Sequence, residues 1–154
     1  MSGRVRASVE IAASVAEVFA YLDDPHRGLA LMPDVIEVTS VEPLPNGGHR
    51  VRLKALGRGG RICDWVSETV ERIPNDRVVV RAETERLTTT SARRFSETPR
   101  GTRLDAEVVY DVGMPALALP LKPVTELQLR KSFRLGLQAL LARLKARIEA
   151  AQAP

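Results

Sequence analysis

Apolar and polar positions alternate without a break through RVRASVEI. Val5, Ala7, Val9 and Ile11 fall on one side and Arg6, Ser8 and Glu10 on the other. That is the period of a half-buried strand. SVAEVFAYL then changes to a helical period, with Val15, Val18, Phe19 and Leu22 on one face. Ser14 precedes Glu17 by three, the spacing at which two side chains satisfy each other's free backbone N–H groups. Asp23-Asp24-Pro25 reads as helix-end punctuation. A second short helix is predicted from Pro25, in its first turn, to about Met32, ahead of Pro33.

From Val35 the period returns to two and stays there. VIEVTSVE, HRVRLKAL, the run around Trp65, VVVRAETE, RLTTTSARRFSE and RLDAEVVYDV read as six consecutive strands. Turn signals lie at Pro45–Gly48, Gly57–Gly60, Ile73–Arg77 and TPRGT, so the strands form an antiparallel meander. MPALALPLKP is apolar but broken by prolines at 115, 120 and 123. It suits a mobile gate over a cavity, a lip touching a membrane surface, or a hydrophobic lead-in to the next helix. VTELQLRKSFRLGLQALLARLKARIEA then forms a long amphipathic helix. Its stripe is Leu129, Phe133, Leu137, Leu140, Leu141, Leu144 and Ile148.

The predicted fold class is α+β, a single domain over residues 1–154. A seven-stranded antiparallel sheet wraps around a long C-terminal helix, with two short helices after strand 1. The sheet's apolar face must be covered by that helix. A helix about 10 Å wide is too narrow to cover a broad curved sheet. The arrangement therefore favours a cavity between them, the usual place for a small ligand.

Composition narrows the picture further. At 44% hydrophobic and 27% charged residues, the 154-residue chain is an ordinary soluble domain, neither disordered nor fibrous. No apolar run nears the roughly 20 residues of a membrane span, and Met1–Arg6 lacks the apolar stretch of a secretion signal. The single cysteine rules out an internal disulfide and suits a reducing cytoplasm. The net charge of +4 comes mostly from arginines that alternate with apolar residues, as at Arg50, Arg52 and Lys54. That is the pattern of a solvated sheet face, and nucleic acid is not an expected partner.

The unusual chemistry sits on the fourth strand. Cys63, Trp65, Ser67 and Thr69 share one face, and Asp64, Val66, Glu68 and Val70 share the other, with Asp64 and Glu68 expected in water. A dry core is a poor place for the first set, because an unpaired hydroxyl costs roughly 1–3 kcal/mol there. A ligand pocket is a better one. The alternative is that Trp65 anchors the core with its indole N–H on a backbone carbonyl.

On the sixth strand Leu87, Thr89, Ser91, Arg93 and Phe95 share a face, and on the seventh Leu104, Ala106, Val108 and Tyr110 do. Setting Phe95 opposite Leu104 turns Arg93 inward, where its charge needs an anionic or carbonyl partner, either a ligand carboxylate, enolate or phosphate or a carboxylate of the protein itself. A slip of one residue would turn Arg94 inward instead. Tyr110 suits either a hydrogen-bond donor to a substrate carbonyl or a core tyrosine reaching the surface. Gly136, in mid-helix, either widens the cavity or admits close packing. His26 and His49 have no ligand-spaced neighbours, so no metal site and no cofactor are expected. Phosphate-loop, dinucleotide and nucleophile-elbow motifs are absent.

The element order, with VFAYLDDP and MPDVIEV early, GTRLDAEVVYD late and LLARLKARIEA at the end, resembles the START-like (SRPBCC, Bet v 1-like helix-grip) superfamily. The branch it looks most like is the bacterial polyketide cyclase/dehydrase and lipid-transport group. That resemblance implies a cavity for a hydrophobic aromatic, polyketide-like or acyl molecule. Trp65-Val66-Ser67 is similar to the strand with which single-domain aromatase/cyclases line their pocket. In those enzymes an arginine tends to follow the serine by two positions, and here that position is Thr69.

The first expectation is therefore a binding protein. Trp65, Cys63, Thr69, Phe95, Val108, Met114, Phe133, Leu137 and Leu140 would contact the ligand. The second is an enzyme, a cyclase or dehydratase acting on a poly-β-ketone chain, with Arg93, Tyr110 and Ser67 as catalytic candidates. The third is a protein-partner module using a sheet edge or the basic face. The expected partner is a hydrophobic small molecule, with a homodimer as a further option and no integral membrane association.

Overall fold

The computed structural model describes residues 1–113 and 122–152. Strand β1 (Ser2–Ile11) is followed by helices α1 (Val15–Asp23) and α2 (Pro25–Ala30). Strands β2 (Val35–Pro43), β3 (His49–Leu56), β4 (Ile62–Ile73), β5 (Arg77–Thr84), β6 (Leu87–Thr98) and β7 (Gly101–Val112) come next, and then helix α3 (Lys122–Gln152). The strands form one antiparallel sheet in the order β1-β7-β6-β5-β4-β3-β2. This is the α+β order of strand, two short helices, six strands and long helix that the changes of period predict.

Local chemistry sets the boundaries. The Ser14 hydroxyl accepts the Glu17 backbone N–H at 3.2 Å and starts α1. The Asp24 carboxylate accepts the His26 N–H at 3.0 Å, and Pro25 opens α2 where its missing N–H costs nothing. Gly47 (φ 85) and Asn75 (φ 61) take left-handed conformations in the β2–β3 and β4–β5 turns, the residue types that tolerate them best.

Parity along the strands decides which side chains point inward. Phe95 pairs with Leu104 and Arg93 with Ala106, so Arg93 faces in and Arg94 faces out. In β4, Thr69 pairs with Val80 but Glu71 with Val79, leaving Val70 as an unpaired bulge residue. Because side chains alternate with period two, that extra residue turns Arg72 to the same face as Thr69.

The outer face is a lattice of exposed ion pairs. Arg50 lies by Glu68 (3.2 Å), Lys54 by Asp64 (3.0 Å) and Arg6 by Glu107 (2.6 Å). Such pairs keep the face solvated and contribute little stability each. The inner face is not uniform. Helix α3 packs chiefly on β1, at one end of the strand order. There Val5, Ile11, Leu104, Leu141, Leu144 and Ile148 form a dry core, joined by Val18, Phe19 and Leu31 from the short helices. One helix laid over β1 leaves the inner face of β3–β6 without a second layer of comparable depth.

Candidate ligand-binding cavity

That uncovered region is hollow. A cavity of about 650 Å³ lies between the sheet, α3 and the two short helices, within the range of small-molecule sites. Its floor carries Trp65 and Ser67 from β4, with Thr89, Ser91, Arg93 and Phe95 from β6. Val51 and Leu53 of β3, and Val78, Val80 and Ala82 of β5, fill in between them. The roof is Phe133, Gly136, Leu137 and Leu140 of α3, and Leu22, Leu29 and Met32 come from the α1–α2 end.

Trp65 pairs with Leu53, and Ser67 sits between Val51 and Ala82, so the indole and the hydroxyl have apolar neighbours on their flanks. Phe95 is nearly buried and meets Phe19 edge-on, ring centres 5.3 Å apart. Val108 also lines the cavity. Thr69 lines it too, but its hydroxyl is engaged with the backbone of His49, accepting the N–H at 3.2 Å and donating to the carbonyl at 3.4 Å. No methyl-sized obstacle surrounds Gly136: a Cβ built there meets no atom within 4 Å. It therefore leaves space rather than admitting close packing.

Arg93 is the electrostatic centre of the site. Among the described residues its guanidinium makes no hydrogen bond and no ion pair. Burial pulls its pKa below the ordinary arginine value, with no partner to offset that cost. Every fully inaccessible side-chain N or O among the described residues has a hydrogen-bond partner. The Arg93 nitrogens therefore retain accessible surface, and the residue lines the hollow.

Arg72 behaves in the opposite way. Its Nε and Nη2 donate to both Asp23 oxygens at 2.8 Å each, and its guanidinium lies 5.3 Å from the Phe19 ring centre. The hydrogen bonds to Asp23 hold its pKa above the ordinary value. The pair fastens α1 to β4 beside the cavity, so Asp23 is more than helix-end punctuation.

Two expected site residues are corrected by these positions. Tyr110 is only 1% exposed, its ring stacked on Phe133 at 4.2 Å and its hydroxyl lying over Gly3 of β1. It is not on the cavity lining, because the Phe133 ring stands over it. Cys63 shares the face of Trp65 but is also not on the lining. It pairs with Ala55 near the start of β4, and its Sγ packs against Gly57. Met114 lies outside the described residues, as do residues 115–121 of the apolar segment expected to gate the cavity. Asp64 and Glu68 face outward as expected, paired with Lys54 and Arg50. Among the described residues no group of three His, Cys, Asp or Glu side chains could hold a metal, and no helix is long and apolar enough to cross a membrane.

Comparison with known proteins joins these features to a family. The model of the family described as polyketide cyclase / dehydrase and lipid transport matches residues 2–149. The chain belongs to that family. Among curated proteins, none matches the sequence. Several solved structures share the fold at low sequence identity. TTHA0849 from Thermus thermophilus superposes with a TM-score of 0.78 at 21% identity, covering 98% of this chain and 100% of its own. The di-domain aromatase/cyclase StfQ of the steffimycin biosynthetic pathway matches at 0.78 and 18% identity, over 98% of this chain and 52% of its own. BexL, the di-domain aromatase/cyclase of the BE-7585A pathway, matches at 0.74 and 20%, over 96% and 50%. In both di-domain proteins this chain spans about half the length.

Proposed function

We propose that this protein binds an apolar small molecule, aromatic, polyketide-like or acyl, in the cavity between β3–β6 and α3. The observation that carries this reading is the hollow itself. About 650 Å³ is left open over β3–β6, whereas the same sheet packs dry against the helix at β1. Trp65, Phe95, Val108, Phe133, Leu137 and Leu140 would give the ligand its contact surface, and Ser67 and Arg93 would orient its oxygens. The match to a family described by both cyclase/dehydrase and lipid transport supports a hydrophobic ligand-binding or polyketide-processing role.

Turnover of a poly-β-ketone chain is the second reading, favoured by the two aromatase/cyclases among the matching folds. In that case the cavity would fold the chain and Arg93 would polarise a carbonyl. Proton transfer would fall to water, since Tyr110 is screened from the cavity by Phe133. Binding is preferred because, of the three catalytic candidates, Tyr110 is buried beneath Phe133, while Ser67 and Arg93 are suited to orienting a ligand.

Native mass spectrometry of the protein as expressed tests the proposal. A retained organic adduct, lost when the protein is denatured, is the expected result. A bare protein mass that also fails to take up naphthalene-type or acyl probes would remove the binding reading. Consumption of a poly-β-ketone chain, slowed by at least about tenfold in Arg93→Met, would replace it with the second.

A further inference from the structure

The charge distribution inside the cavity narrows what its ligand must be. Arg93 projects from β6 between Val78 of β5 and Ala106 of β7, side chains that offer it nothing polar. The cavity face of α3 contributes Phe133, Leu137 and Leu140, with Ser132 and Arg143. Three lining residues bear carboxylates, Asp23, Asp34 and Glu107. Asp23 is held by Arg72, and Glu107 is outside the sheet with Arg4 and Arg6. None of the three forms an ion pair with Arg93. The second guanidinium on the lining, Arg143, is tied to the Leu31 carbonyl at 3.3 Å. Among the described residues, Arg93 is therefore the lining guanidinium that has neither a hydrogen bond nor an ion pair, and its strand neighbours Val78 and Ala106 are apolar. A guanidinium desolvated in this way binds a carboxylate through two parallel N–H donors with unusual strength.

The same strand carries a second polar feature. Thr89 and Ser91 alternate inward with Arg93, successive positions being about 6.8 Å apart along an antiparallel strand. Neither hydroxyl makes a side-chain hydrogen bond among the described residues, and Ser67 on β4 is in the same state. A row of unengaged hydroxyls ending at a cation is matched by a molecule with an acid head and further oxygens along its body.

Building on the cavity-binding reading above, we infer that the ligand is an amphiphilic carboxylic acid. Arg93 holds its carboxylate, and the apolar body lies over Ser91 and Thr89 toward Trp65. The planar fork of Arg93 matches the two oxygens of a carboxylate.

Displacement of N-phenyl-1-naphthylamine, a neutral probe of the cavity, by decanoate and by decanol tests the head group alone. The wild-type protein should release the probe at a decanoate concentration about tenfold below that of decanol. In Arg93→Met that preference should vanish, the two displacers being compared after the naphthylamine affinity of the variant itself has been measured. Arg93→Gln serves as a second uncharged variant and gives the same pattern if Arg93→Met does not fold. Equal potency of the two displacers on the wild type overturns the inference and leaves the cavity reading standing. A decanoate preference that survives in both variants also overturns it, placing the anion elsewhere. Failure of the naphthylamine to bind the wild type removes the cavity reading first, and this inference with it.

Discussion

The two ends of the inner sheet face obey the same alternation and yet are built of different material. On β1 and the part of β7 beneath α3, the inward residues include Val5, Ile11 and Leu104, all buried. On β4 and β6 they include Trp65, Ser67, Thr69, Thr89, Ser91 and Arg93, none of them fully buried, beside the buried Phe95. A dry contact with the helix would strand those hydroxyls and that charge without partners. Polar residues at inward positions therefore mark where the second layer is missing. The amphipathic pattern says which face points in, and its polar exceptions say where the interior is wet or occupied.

Substitutions separate the two ends, beginning with the largest expected effect. Leu144 is 1% exposed in the dry end. Leu144→Ala should cost about 3 kcal/mol and lower Tm by roughly 6–12 °C in thermal unfolding. Ser67→Ala, the counterpart in the hollow end, should stay within about 0.5 kcal/mol. If the two were equally destabilising, the interior would be packed alike throughout.

The link between the ends is next. Asp23 and Arg72 are 29% and 20% exposed, and their bidentate contact joins α1 to β4. Asp23→Asn should lose about 1–2 kcal/mol in denaturant unfolding, since it leaves a mostly covered guanidinium with a weakened partner. No loss would mean that the two elements are held by packing alone.

Gly136 works in the other direction. With nothing within 4 Å of a built Cβ, Gly136→Ala should stabilise the helix by up to about 1 kcal/mol. It should also narrow the cavity roof and weaken binding of bulky probes. A stability loss would show that the roof is closer to its neighbours than this spacing allows.

The smallest effect lies outside the core, at Asp105. Burial favours protonation of its carboxyl, but hydrogen bonds from Ser8 and Arg103 outweigh that and hold its pKa below the ordinary value. The unfolded chain therefore takes up the proton first, and the stabilisation present above the unfolded pKa is lost as pH falls through the folded one. Ser8→Ala should reduce stability above about pH 4 by a few tenths of a kcal/mol. The difference from wild type should shrink in more acidic solution. A pH-independent difference would assign the effect to packing.

Much of this arrangement is legible in the sequence. The strand periods, Ser14 as cap, Pro25 as first-turn residue and the turns around Gly47 and Asn75 follow from local chemistry. Phe95 opposite Leu104 is enough to turn Arg93 inward. The bulge at Val70 is not legible, because Thr69-Val70-Glu71-Arg72 keeps the composition of a regular strand while the backbone gains a residue. Arg72 and its bond to Asp23 were hidden for that reason. Nor does the stripe on α3 reveal that the helix lies over β1, since periodicity names a face and not the strands it meets. That offset places Phe133 over Tyr110. It also explains why a tyrosine with the right parity is closed off while Trp65, with the same parity, lines the hollow.

Trp65 is the protein's one tryptophan, so it reports on the cavity without labelling. Its emission overlaps the absorption of N-phenyl-1-naphthylamine, and energy transfer between them falls off steeply with distance. Titration should quench Trp65 and raise the probe's emission to saturation at one probe per protein. Quenching that never saturates, or that stays the same when Phe133 and Leu140 are replaced by larger residues that fill the hollow, would contradict a ligand cavity between α3 and β4–β6.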